Sequence, residues 1–280
     1  MTVNDNSRYI EYLQEGLLAP GWDGPFDSKA IREWYAKNGF RQSRVGKTSI
    51  AQGQEDLVLH LERFAREFEP GTRFERFETE TIFEPLLERV KQAAQAPGLK
   101  PGRGIRIATS TEIGATALAR PTSDEHLLFI GPGTWAFCNY WAKAVTAVVR
   151  TIARARPNEH IGAVEDFEAC LKTDPSGLVL SGRLALYYGI FGTLLGFGEV
   201  EQPQDYLSYR LTLLDAMETF VVSHEYAHFV AHERIPRVSG QDLEMLCDEM
   251  GLQLSRNCAY PEDGGLEFTG VGSPCLLSLN

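Results

Sequence analysis

The sequence feature that most constrains this chain is His224-Glu225-Tyr226-Ala227-His228, which has the pattern His-Glu-x-x-His. Two histidines four residues apart lie about 40° from each other around a helix of 3.6 residues per turn, so both imidazoles project from one face. The glutamate between them can reach a water molecule at a metal without being a ligand itself. The pattern therefore predicts a helix with two zinc ligands, His224 and His228, and a general base, Glu225.

The segment around the motif has the pattern of a long helix followed by a second one. Residues 206–233 contain neither proline nor glycine, and apolar side chains recur along them at helical spacing. Pro236 ends this segment, and a second helix is predicted from about Gly240 to Arg256, with Ser239 as its N-cap. By chance the five-residue motif occurs in on the order of one in a hundred chains of this size, so its weight comes from this helical context.

Glu244, in the first turn of the second helix, is the predicted third zinc ligand. A catalytic zinc usually takes three protein ligands and keeps a fourth position for water. If the two helices form a hairpin, Glu244 faces both histidines. Asp248, one turn later, lies on the same face and is placed to accept the other ring N–H of a ligand histidine. Cys247 is expected to pack against the first helix as a small side chain.

His232 is the main alternative to Glu244 as the third ligand. It lies eight residues after His224, about 12 Å along a helix axis, which is too far for three imidazoles to meet at one zinc unless the helix breaks. The metzincin pattern is also excluded, because it requires a histidine where this chain has Arg234. His232 is therefore expected to be a cation at the helix end or a residue on the substrate side.

Each predicted site residue also has an ordinary structural explanation, which the sequence leaves open. The two histidines would then be surface or core-edge side chains. Glu244 would be a solvated acid favoured by the helix dipole, and Asp248 would be simply exposed. Ligation by Cys247 and Cys258 is a further alternative, although thiolates are typical of a closed site.

Residues 224–248 resemble the gluzincin group of zinc metallopeptidases, in which His-Glu-x-x-His is followed by Glu-x-x-x-Asp. The resemblance implies that His224, His228 and Glu244 bind one zinc ion, that Glu225 is the general base and that Asp248 supports a ligand from behind. It implies hydrolysis of peptide bonds in a peptide or protein substrate by a metal-activated water.

A weaker resemblance, to prophage-encoded phage-exclusion peptidases, rests on three features. They are a strand that ends in Ile130-Gly131, an aromatic-rich helix with Phe-Cys-Asn-Tyr at 137–140, and the late His-Glu-Tyr-Ala-His.

Other functions remain open at this stage. One is a zinc-binding regulatory protein that does not hydrolyse its ligand, and another is an antiphage or toxin-type effector protease specific for one host protein. A scaffold without a metal is disfavoured, because three of the six histidines fall between residues 224 and 232.

Peptide hydrolysis also requires a donor that stabilises the oxyanion formed at the scissile carbonyl. Tyr260, His160 and His232 are the candidates for this donor.

The remaining sequence predicts an α+β protein that is mainly helical, with a small sheet and an active-site helix pair, and the resemblance to gluzincins implies a zincin-like core. A run rich in proline and glycine at 97–104 is either a surface loop or a linker between an N-terminal, mostly helical region (1–100) and a metallopeptidase domain (101–280). The sequence leaves open whether residues 1–100 are a recognition module or a prodomain-like cover. Strands are predicted at 105–109 and 126–130, with an edge able to pair with an extended peptide. Further helices are predicted at Ile10–Leu18, Ser28–Asn38, 55–68, Leu86–Ala96, Trp135–Arg156, Val164–Leu171 and Leu178–Phe197, the last of them buried.

Composition restricts the partners and the compartment. The net charge of −11 disfavours nucleic acid, whose binding proteins usually carry a basic surface. Five widely spaced cysteines without a Cys-x-x-Cys pair favour a reducing compartment. Neither a signal peptide nor an apolar run of about 20 residues is evident, so a cytoplasmic protein without a membrane segment is expected, with its oligomeric state open.

Overall fold

A computed structural model of the chain describes residues 3–17, 71–155, 164–198, 200 and 206–258. Within these ranges the chain is mainly helical with one small sheet, which confirms the α+β class. The helices predicted at 28–38 and 55–68 lie outside the described residues. The elements are α1 (Val3–Gly16), α2 (Phe77–Ala93), β1 (Ile105–Thr109), β2 (Ala117–Arg120), β3 (His126–Ile130), α3 (Pro132–Ala155), α4 (Val164–Thr173), α5 (Ser176–Phe191), α6 (Leu207–Arg234) and α7 (Gln241–Asn257).

The sheet has the strand order β1-β3-β2. β1 runs parallel to β3, with Ile107 opposite Leu128, and β2 runs antiparallel to β3, with Leu118 opposite Phe129. All five residues of the central strand β3 are buried. Both predicted strands have the predicted bounds, whereas β2 was not predicted, because its sequence Ala-Leu-Ala-Arg lacks the β-branched and aromatic residues typical of strands.

The chain divides into two compact units. The first takes the described residues up to Pro85 together with Arg103–Glu112 and Ala117–Pro132, so it contains α1 and the whole sheet. The second takes Leu86–Gly102, Ile113–Thr116 and the described residues from Gly133 onward. The domain division predicted at residue 100 stays a prediction.

In the first unit α1 packs on the sheet through Ile10, which joins Ala108, Leu127 and Phe129 in a buried cluster. A buried polar contact fixes the same helix: the Gln14 amide donates to the Thr109 carbonyl oxygen at 2.9 Å. The predicted helix Ile10–Leu18 is thus present, but it begins at Val3 and ends at Gly16.

In the second unit α6 packs on α3 along its N-terminal half. Leu213 and Met217 of α6 are fully buried against Cys138 and Ala142 of α3. At the other end of α6 its last turn holds the segment 98–102: Glu233 accepts from the Gly102 N–H, and Arg234 donates to the Gly98 and Lys100 carbonyl oxygens. The run predicted as a surface loop or linker is therefore attached to α6 at these residues.

The structure contradicts the prediction that residues 178–197 form a buried helix. α5 ends at Phe191, followed by Gly192 in the left-handed conformation with φ 66°. One face packs on α3 through Leu184, but Leu186 and Ile190 on the opposite face are 66% and 64% exposed. The segment is apolar on all sides, so its sequence does not indicate which face of the helix packs against the rest of the protein.

Other helix bounds also differ from the prediction. α2 begins at Phe77 and not at Leu86, with Pro85 in its interior. α3 begins at Pro132, since proline is well suited to the first helical position. α4 extends to Thr173. None of the described helices is long and apolar enough to cross a membrane.

Candidate metal centre

The helices that carry the predicted site, α6 and α7, pack against each other through small side chains. Ala227 and Ala231 of α6 and Cys247 of α7 are buried together, with Leu243 and Leu246 beside them. Both helices begin and end within one residue of the predicted bounds. The expected packing of Cys247 against the first helix is confirmed.

Gly251 allows the two helices to approach closely at the motif itself. A Cβ atom at this position would lie 2.9 Å from Cα and 3.0 Å from the backbone nitrogen of His224, so any larger residue would push the helices apart. Gly251 had no predicted role. Its signal was an isolated glycine in a helix interior, which often marks close packing.

The first turn of α7 is not capped in the predicted way. Gly240 is the N-cap, with φ 61° and no capping side chain, so Ser239 does not have the role predicted for it. The Gly240 carbonyl oxygen accepts from the N–H groups of Leu243 and Glu244 at 3.1 and 3.2 Å. A left-handed glycine thus turns the chain into α7 and sets Glu244 in its first turn.

The structure brings His224, His228 and Glu244 together. The Nε2 atoms of the two histidines are 3.2 Å apart, and Oε2 of Glu244 lies 3.4 Å from Nε2 of His224 and 3.5 Å from Nε2 of His228. A tetrahedral zinc with bonds of about 2.05 Å separates its ligand atoms by about 3.3 Å. The three donor atoms therefore have the spacing of one face of a zinc tetrahedron.

Asp248 lies behind the first histidine. Its Oδ1 is 2.9 Å from Nδ1 of His224, although the two groups are not aligned as a hydrogen bond. A carboxylate at this ring nitrogen favours the tautomer with the proton on Nδ1. That tautomer leaves the Nε2 lone pair free to face His228 and Glu244.

The surroundings of His228 favour its neutral imidazole. The pKa of His228 is lowered, first by burial and then by His224, while Glu244 and Asp248 partly oppose the shift. The two Nε2 atoms and Oε2 of Glu244 point at one another and could hold a metal ion together. A divalent cation is the group that such a donor set fits.

Glu225 lies between the two histidines in sequence, and its side chain is buried, with 8% exposed. The ring of Phe220, one turn before His224, is 6.2 Å from the His224 ring and adds an apolar side to the site. His232 is exposed in the last turn of α6 and does not join the ligand cluster. Tyr260 and His160 lie outside the described residues.

The cysteines near α7 are not arranged as ligands. Burial raises the pKa of Cys247 to about 12, with further contributions from Glu244, Glu225 and Asp248, so its thiol stays protonated. Burial likewise raises the pKa of Cys258 to about 11. Both values disfavour the thiolates that a cysteine zinc site requires.

Comparisons with protein families, with characterised proteins and with solved structures found no match for this chain. The resemblance to gluzincins therefore depends on residues 224–248 and on the geometry described above.

Proposed function

We infer that this chain is a zinc-dependent metallopeptidase with a zincin-like site. The observation that carries the proposal is the meeting of three donor atoms, from His224, His228 and Glu244, at separations of 3.2 to 3.5 Å. Glu225, adjacent to the first of them in sequence, supplies the carboxylate that hydrolysis requires. The substrate that we propose is a peptide or protein, as the resemblance of residues 224–248 to gluzincins implies, and the net charge of −11 disfavours nucleic acid.

A zinc ion bound by the three residues would supply an acidified water and polarise the scissile carbonyl. Glu225 takes the proton of the attacking water and later gives it to the leaving amine. Its burial limits competing water around the carboxylate and so strengthens its interaction with charge that develops nearby. Asp248 holds the His224 ring in the orientation and tautomer that ligation needs.

Metal content and activity of the full chain test this proposal together. We expect about one zinc per chain by elemental analysis of the wild type, and its loss in a His224→Ala, His228→Ala double variant. Glu225→Gln should keep the zinc and lose cleavage of a peptide library by at least about 100-fold. Glu249→Gln is the matched control, because this carboxylate is exposed on α7 and outside the ligand cluster.

The result separates the proposal from its alternatives. Full zinc occupancy in the double variant would refute the site. Bound zinc without any cleavage, in the wild type as in Glu225→Gln, would identify a zinc-binding protein that does not hydrolyse. Cleavage confined to a single host protein would identify an effector-type protease with the same chemistry.

A further inference from the structure

The exposed face of α5 is an apolar strip along the whole helix. Its large side chains are Leu178, Val179, Leu186 and Ile190, which are 48%, 55%, 66% and 64% exposed. Gly182 and Gly189 lie between them on the same face, opposite to the buried Leu184. A contiguous apolar strip of this kind is often an interaction surface.

The two glycines of the strip have no explanation within the described part of the chain. A Cβ atom at Gly182 or Gly189 would meet no atom within 4 Å, and neither residue has a positive φ. Glycine in a helix interior is less stable than alanine, so an exposed helical position does not favour it. Close approach of a second helix explains both positions, as the contact between Gly251 and His224 does inside the chain.

The strip itself lacks charge, which limits what can cover it. Arg183, the charged residue within α5, lies at the edge of the strip, with its guanidinium carbon 5.5 Å from the centre of the Phe197 ring. A helix that binds an anionic membrane surface usually presents several lysines or arginines, and the net charge of −11 opposes such binding. An apolar helix with matching shape is the better partner.

A second copy of α5 has that shape. When two copies run antiparallel around a two-fold axis level with residue 184, Leu186 of one copy lies at the level of Gly182 of the other. Val179 then lies at the level of Gly189, so a large side chain adjoins a glycine in both cases. Leu178 lies at the level of Ile190 at each end, and the arrangement is symmetric, as a two-fold dimer requires.

The area that two copies of the strip can bury is also large enough for a specific interface. The four large side chains expose on the order of 400 Å² of apolar surface, and flanking residues such as Ala185 raise the area buried by two copies to about 1,000 Å², the lower bound for a specific interface. We propose that this protein forms a two-fold dimer through antiparallel packing of its α5 helices. The dimer does not depend on the metal centre or on peptidase activity.

Sedimentation velocity of the full chain over about 1 to 100 µM tests the dimer, whose affinity we expect in the micromolar range. The wild type should approach twice the mass of one chain. Leu186→Lys and Gly182→Met should each weaken association by at least about 100-fold, because one introduces an unpaired charge and the other fills the space that Leu186 enters. Tyr12→Lys is the matched control, since Tyr12 is 70% exposed on α1 and outside the strip.

Circular dichroism checks that each variant keeps its helices, and Gly182→Met should be at least as thermally stable as the wild type when measured as a monomer. A wild type that stays monomeric throughout, or a dimer that both strip variants leave intact, would overturn the proposal. Binding of the monomer to phosphatidylcholine vesicles that is lost in Leu186→Lys would overturn it in favour of a lipid surface.

Discussion

At the scale of single residues, Asp248 is the carboxylate that lies beside a ring nitrogen of a predicted zinc ligand. Its Oδ1 lies 2.9 Å from Nδ1 of His224. We expect Asp248→Asn to lower zinc affinity by about 10- to 100-fold, because the amide is uncharged and stabilises the imidazole less. Competition with a fluorescent chelator measures the change. Glu249→Gln, one residue along α7, should leave the affinity unchanged, and an equal loss in both variants would mean that only the summed charge of α7 matters.

Glu218 is a buried carboxyl in α6 whose titration should affect stability. Burial raises its pKa from 4.5 to about 8, with a further rise from Asp215 and an opposing effect of Arg89, and its Oε1 has no hydrogen-bond partner among the residues that the structure describes. The folded protein therefore binds this proton more tightly than the unfolded chain does. Its contribution to stability is complete below about pH 4.5 and is lost as the pH rises toward 8.

Glu218→Gln should remove this loss, since the amide has the shape of the protonated carboxyl and does not ionise. We expect the variant to exceed the wild type by a few kcal/mol in unfolding free energy at about pH 8.5, and by much less at about pH 5. Urea unfolding at the two pH values measures the difference. Glu88→Gln is the control, because that carboxylate is exposed on α2. A constant difference between wild type and Glu218→Gln at both pH values would contradict the prediction.

The clustering of His224, His228 and Glu244 was predictable from sequence because helical geometry relates the residues on each helix. His224 and His228 share a face through their spacing of four, as do Glu244 and Asp248 on the next helix. The sequence could not show that Asp248 would reach His224 and not His228. That choice depends on the register between α6 and α7, which Gly251 fixes by its contact with the His224 backbone.

At the scale of elements, predictions succeeded where the sequence contained a stop signal or a clear period. α6 and α7 are bounded by Pro236 and Gly240, and their bounds were predicted within one residue. α5 was predicted wrongly as buried, because an apolar helix without a polar face carries no information about which side packs. β2 escaped prediction because its pairing with β3 arises from the fold and not from its own residues.

The spacing between α6 and α7 gives a prediction at this scale. Gly251→Ala places a methyl group 2.9 Å from Cα of His224, so the helices must separate near the ligands. We expect a loss of about 1 to 3 kcal/mol in unfolding free energy, as in other overpacked contacts. We also expect the affinity for zinc to fall by about tenfold or more, because Glu244 moves with α7. Gln253→Ala, at an exposed position of the same helix, should change neither quantity. Unchanged zinc affinity in Gly251→Ala, measured by chelator competition, would contradict this account.

At the scale of the whole molecule, the class of fold was predictable and the grouping of its parts was not. Period-two and helical patterns predicted a helical protein with a small sheet, as found. The contact between Gln14 and Thr109, which joins α1 to the sheet, spans 95 residues and has no local signal in either segment. The contacts of Glu233 and Arg234 with residues 98–102 were equally hidden, because glycine and proline signal a loop without showing what holds it.

Removal of zinc provides a test of the folded chain as a whole. The proposed ligands come from two helices that meet only when the chain is folded, so bound zinc should stabilise the native state and not the unfolded one. With free zinc at about 100 times its dissociation constant, this stabilisation is about 2.7 kcal/mol, or about 5 °C in melting temperature for a chain of this length. Excess EDTA should lower the melting temperature by that amount in calorimetry.

In Glu244→Gln the shift should be much smaller, because the variant lacks the anionic ligand, whereas Glu249→Gln should show it in full. An equal shift in all three proteins would place the stabilising metal away from α6 and α7. The dimer predicted at α5 should persist in EDTA, since its helices contain none of the ligands.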